Sequence, residues 1–139
     1  MREYETVYIL DPALTEADVK ASMDRYGEII ARHEGAIFRS QNMGKKTLAY
    51  PIKKQTKGYY VALDYCGNNT AVSDIERSLK LDERVLRYLT VKFGDIADID
   101  TRRKEIIEEE EALAKAMAEH NARKESAMHK DETSQREGA

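Results

Sequence analysis

The order in which hydrophobic periodicity changes along this chain limits its fold more than any single motif. Tyr4 to Leu10 alternates and is rich in Tyr, Thr, Val and Ile, which specifies a strand. Asp11-Pro12 breaks that pattern. Thr15 is a helix cap, with Glu16 and Asp18 in the first turn where carboxylates suit the helix dipole. Val19, Met23, Tyr26, Ile29 and Ile30 then recur at helical spacing, and Gly35 reads as the C-terminal cap. Ala36 to Ile52 is extended, with Gly44 marking a bulge and Pro51 an edge or an end. Lys53 to Gly58 is a polar hairpin connection, and Gly58 to Tyr65 is the next strand. Gly67-Asn68-Asn69 turns the chain into a second helix whose buried stripe is Val72, Ile75 and Leu79, and Val85 to Phe93 closes the pattern as a strand.

The order β-α-β-β-α-β over residues 1–94 predicts an α+β, ferredoxin-like domain: a four-stranded antiparallel sheet with two helices on one face. The other sheet face is then bare, yet the strands are apolar on both sides. In the first strand Tyr4, Tyr8 and Leu10 oppose Val7 and Ile9. In the last, Val85, Leu89, Val91 and Phe93 oppose Leu86, Tyr88 and Lys92. Something is therefore expected to cover the second face. Residues 95–139 form a different region, a charged, net acidic extension with Glu108 to Glu111 at its centre and a thin apolar stripe of Ile99, Ile106, Leu113 and Met117. A helix over roughly 100–125 that frays into a disordered end is expected there.

Charge is placed as unevenly as hydropathy. The chain carries a formal net charge of −3, but residues 1–94 hold 15 basic and 13 acidic side chains, whereas residues 95–139 hold 8 and 13. Between Gly35 and Leu63 stand Arg39, Lys45, Lys46, Lys53, Lys54 and Lys57 without one acidic residue. Interleaved with Tyr50, Tyr59 and Tyr60, that stretch suits a polyanion, its cations matched to phosphates and its rings to bases or riboses. A solvated basic hairpin is the bland alternative.

Other chemistries find little support. The single cysteine, Cys66, excludes an internal disulfide and a multi-cysteine metal site, and is read as a partly buried, inert thiol. His33, His120 and His129 converge with no nucleophile by any motif. Gly44-Lys45-Lys46 lacks the spacing of a phosphate-binding loop. No enzyme activity, metal or cofactor is expected. No apolar run approaches the roughly 18–20 residues of a membrane helix, and the opening Met1-Arg2-Glu3-Tyr4-Glu5 enters a strand without a signal-like region, so a soluble, cytoplasmic protein is expected.

Three segments together resemble the bacterial small-subunit ribosomal protein S6 family. They are the opening Met1 to Glu5, the stretch from Gly44 through Pro51 and Lys54 to Lys57-Gly58-Tyr59-Tyr60, and the run Leu79 to Leu89 followed by Val91-Lys92. The resemblance covers residues 1 to about 94 and leaves out the extension. It implies a structural protein of the small ribosomal subunit that binds the central domain of small-subunit rRNA as a heterodimer with ribosomal protein S18, which would cover the bare sheet face. It also places Arg2, Tyr4, Arg87 and Lys92 near rRNA. Lys45, Lys46, Lys53, Lys54 and Lys57 are added from charge and hairpin placement, and Tyr50 and Tyr59 as stacking or packed tyrosines. Tyr8, Leu86 and Tyr88 are expected at the partner surface. An RNA-recognition-motif protein has the same element order, and Lys57 to Leu63 half-matches its strand signature. Tyr60 and Val61, however, depart from the base-stacking pattern.

Overall fold

The computed structural model describes residues 1–137 apart from Ala97, with side chains described through Lys130. The elements run β1 (Arg2–Leu10), α1 (Glu16–Arg32), β2 (Ala36–Ile52), β3 (Gln55–Gly67), α2 (Asn69–Leu81), β4 (Val85–Asp95) and α3 (Ile99–Glu137). The strands form one antiparallel sheet in the order β2-β3-β1-β4. The chain divides into two units, Met1–Ile99 and Asp100–Ala139.

Local chemistry accounts for the boundaries. Thr15 caps α1 in a reciprocal box: its hydroxyl accepts from the Asp18 amide, and the Asp18 carboxylate accepts from the Thr15 amide. At the far end His33 is the cap, and the amides of Glu34 and Gly35 donate back to the carbonyls of Ala31 and Ile30, a Schellman arrangement. The left-handed position belongs to Glu34, at φ 60°, and not to Gly35. Gly35 is needed for space, because a Cβ there would lie 2.4 Å from the Cys66 carbonyl oxygen. Gly44, at φ 84°, sits at a register shift that leaves Met43 without a partner, the bulge its position implied. The hairpin is tighter than the polar run suggested. Ile52 pairs with Gln55, so Lys53 and Lys54 alone make the turn, both left-handed at φ 48° and 67°.

The main core lies between the sheet and the two helices α1 and α2. Tyr4, Tyr8 and Leu10 of β1, Tyr59, Val61, Leu63 and Tyr65 of β3, and Val85 of β4 meet Val19, Tyr26, Ile29 and Ile30 of α1 and Ile75 and Leu79 of α2. Burying each such side chain contributes about 1.5–3 kcal/mol. The Tyr8 and Tyr26 rings meet edge to face at 5.2 Å. Thr6, buried among them, exchanges hydrogen bonds with Tyr65 and Thr90.

The second sheet face is not bare throughout. Ile9, Leu48 and Leu86 form a small core of their own, flanked by Ile52 and Tyr60, so the hairpin end of β2 covers part of that face from within the chain. The rest stays open: Leu89 and Val91 pair with Val7 and Glu5 and are 64% and 45% exposed. A register shift at Leu86 breaks the strict alternation expected of β4. Val85 and Tyr88 thereby share the helix-covered side with Leu10 and Tyr8, while Leu89 and Val91 turn away.

In its own unit, α3 is one continuous helix to Glu137 rather than a helix ending near residue 125. Its alanines, glutamates, lysines and arginines are strong helix formers, and neither glycine nor proline interrupts them. Arg102 bridges Glu105 and Glu109 at 3.2 Å each along one face.

Candidate nucleic-acid interface

The β2–β3 hairpin gathers the largest share of the expected contacts. Lys45, Lys46, Tyr50, Lys53, Lys54 and Lys57 are all exposed there. Consecutive strand residues point to opposite faces, so Lys45 and Lys46 part company. The Lys45 ammonium lies 5.2 Å from the Tyr59 ring centre and the Lys46 ammonium 5.8 Å from that of Tyr60, a cation–π contact on each side of the ribbon. Lys53 donates to the Val85 carbonyl at 3.1 Å, which ties the turn to the start of β4. Tyr50 is 57% exposed and accepts a hydrogen bond from Arg87, so one more cation joins the hairpin end.

Holding two lysines in left-handed backbone costs roughly 1–2 kcal/mol per residue, where glycine or asparagine would cost little. The turn therefore presents cations in place of the residues that would make it easiest to close.

Several expected contacts fall elsewhere. Arg2 and Lys92 lie at the other end of β1 and β4, level with Gly67 and Tyr65 of β3 and so roughly 30–40 Å along the strands from the Lys53-Lys54 turn. Arg2 is partly engaged, bridging Asp95 at 3.5 Å and donating to Asn69 at 3.2 Å. Arg39 faces Asp64 at 3.8 Å. Tyr4 is buried, its ring 5.9 Å from Tyr65 and its hydroxyl bonded to Asn69. Tyr59 is likewise core, so neither ring is open to a base.

The expected partner surface needs the largest correction. Tyr8 is 1% exposed and packed under α1, and Tyr88 leans on the same core. Leu86 is buried beneath Leu48. None of the three offers a surface, each for its own reason: Tyr8 lies on the helix-covered side, Leu86 is covered by the hairpin end of β2, and the bulge at Leu86 turns the partly buried Tyr88 to the helix side. The exposed apolar groups of β4 are instead Leu89, Val91 and Phe93. Their spacing was visible in the sequence; the bulge that exposes them was not.

A charged group also sits on the open face. Asp64 pairs across the sheet with Glu5 and Arg39. Burial, and then the neighbouring Glu3 carboxylate, push its carboxyl up to about 7. No group of His, Cys, Asp and Glu able to hold a metal occurs among the described residues, and no helix among them is long and apolar enough to cross a membrane.

Comparison with known proteins agrees with this architecture. Residues 3–92 match the model of a family described as Ribosomal protein S6. The small ribosomal subunit protein bS6 of Desulfatibacillum aliphaticivorans is 35% identical over 116 residues, a match that covers 84% of this chain and 60% of that protein. The bS6 protein of Syntrophobacter fumaroxidans is 40% identical over 98 residues, covering 70% of this chain and 67% of the relative. The chain thus spans about two thirds of the length of these relatives. The crystal structure of 30S ribosomal protein S6 from Thermotoga maritima superposes with a TM-score of 0.62 at 24% identity, covering 78% of this chain and 97% of that one, a likeness of fold.

Proposed function

Because this chain belongs to the ribosomal protein S6 family, and so is a protein of the small ribosomal subunit at work in translation in the cytoplasm, we propose that it binds the central domain of small-subunit rRNA together with ribosomal protein S18. The β2–β3 hairpin carries the proposal. It projects Lys45, Lys46, Lys53, Lys54 and Lys57 in a segment free of acid, and it keeps two of them at left-handed positions that lysine does not favour. Strain retained at exposed cations supports a phosphate-binding role for the tip. Recognition proceeds through backbone and shape more than base sequence, since only Tyr50 among the candidate rings lies open.

The exposed strip of Leu89 and Val91 supports a protein partner on the open face, in place of Tyr8, Leu86 and Tyr88. Base stacking of the RNA-recognition-motif kind is disfavoured, because Tyr59 is core and Lys46 stands over Tyr60.

Leu89→Glu tests the partner surface. At 64% exposure the change leaves the fold intact, within about 0.5 kcal/mol, and is expected to weaken S18 binding at least tenfold by calorimetry. Unchanged affinity would remove β4 from the interface.

A further inference from the structure

The tip of the β2–β3 hairpin is held in part by a strand with which it does not pair. β2 and β4 are the two edges of the sheet, with β3 and β1 between them. Thr47 pairs with Lys57 and Ile52 with Gln55, so Leu48 to Pro51 have no register partner on β3 and stand opposite Thr56 alone. Pro51 has no amide hydrogen to give to a ladder. This segment reaches β4 instead. Leu48 packs with Leu86 and Ile9, Lys53 donates to the Val85 carbonyl at 3.1 Å, and the Tyr50 hydroxyl accepts from Arg87.

These ties bring the RNA-binding tip up against the open apolar strip of β4. Arg87, Leu89 and Val91 pair with Ile9, Val7 and Glu5, alternate residues of β1, so their side chains share the open face. All three are exposed. Arg87 thus continues the line of the strip and is at the same time bonded to the tip. Of the three ties it makes the only exposed one, since Leu48 and Leu86 are buried and the Lys53 contact is partly so. A protein seated on the strip therefore changes the surroundings of this contact more than those of the other two.

We infer that Arg87, acting through the Tyr50 hydroxyl, is a positioning residue for RNA binding and couples the hairpin tip to the open face of β4. A protein over Leu89 and Val91 excludes water from around the guanidinium, and a charge-assisted hydrogen bond gains strength where water no longer competes for its partners. The tip then gives up less freedom when RNA binds, so each ligand tightens the binding of the other. This role rests on the rRNA and partner reading above and adds to it the contact through which the two surfaces are linked.

The test titrates a central-domain rRNA fragment with the full chain, with and without saturating S18, at low salt where binding by the chain alone is strong enough to measure. Tyr50→Phe removes the acceptor while keeping the ring and every charge, at an exposed position. The factor by which S18 lowers the RNA Kd is expected to fall about fivefold or more. The salt slope is expected to keep its parent value, because no cation is lost. Arg87→Met is expected to lower the factor likewise, and the double variant to lose no more than the larger single loss, since the two residues are the ends of one contact. If Tyr50→Phe keeps the parent factor, or weakens RNA binding equally with and without S18, the coupling role is overturned and the rRNA reading stands. If the parent chain binds no RNA, or S18 leaves its RNA affinity unchanged, that reading falls and the coupling falls with it.

Discussion

Lys54 is the position where stability and function pull in opposite directions. At φ 67° it bears the steric cost of an L side chain in left-handed backbone. Lys54→Gly is therefore expected to stabilise the fold by a few tenths to about 1 kcal/mol in urea titration, while lowering the salt slope of RNA binding by about one. A loss of stability would show that the turn is not strained. Asp64 gives a second residue-scale test, through pH. Its carboxyl titrates at about 7 in the folded protein, against about 3.9 when unfolded. Between those values the folded state holds more protons than the unfolded one, so this group makes stability fall as pH rises from about 4 to 7, with no further change above. Asp64→Asn, 13% exposed in its side chain, should remove that slope and raise stability at pH 8 by roughly 1–3 kcal/mol. Equal slopes in the two proteins would contradict the assignment.

At the scale of elements, much of the fold was legible. Thr15 and the Gly67-Asn68-Asn69 turn announced the helix starts, and the side chains of Thr15 and Asn68 accept the amides that caps require. Tyr4, Tyr8 and Leu10 were placed together by period two, and they share the core. What could not be read was the local loss of period. Both register shifts on β4 depend on how it meets β1, which is a property of the pair and not of either strand. The left-handed Glu34 and the two-lysine turn were hidden for a related reason: glycine was present nearby in each case, and tertiary contacts decided which residue took the unusual backbone. Glu34→Gly should then raise stability by about 1 kcal/mol, measured by thermal unfolding. For α3, composition announced a helix, but helix propensity over glycine-free sequence carried it to Glu137. Of the candidate site, the cationic hairpin was legible because charge survives folding unchanged, whereas the partner surface was not, because burial of Tyr8 and Leu86 is set by what packs on them.

For the whole molecule, the negative net charge and the proposed affinity for a polyanion are compatible because the charges are segregated. The acid-free hairpin lies in one unit, and five of the glutamates lie in a single stretch of α3. Fields of that kind steer by local potential rather than by the sum. The apolar strip on β4 supports the proposal that a second protein shares in RNA binding. The most direct test is a titration of a central-domain rRNA fragment with the full chain, with and without S18, at fixed salt. Tight binding that requires both proteins, and that weakens on Lys53→Ala with Lys54→Ala, is the predicted result. Equal binding by this chain alone, or binding indifferent to the hairpin lysines, would contradict it.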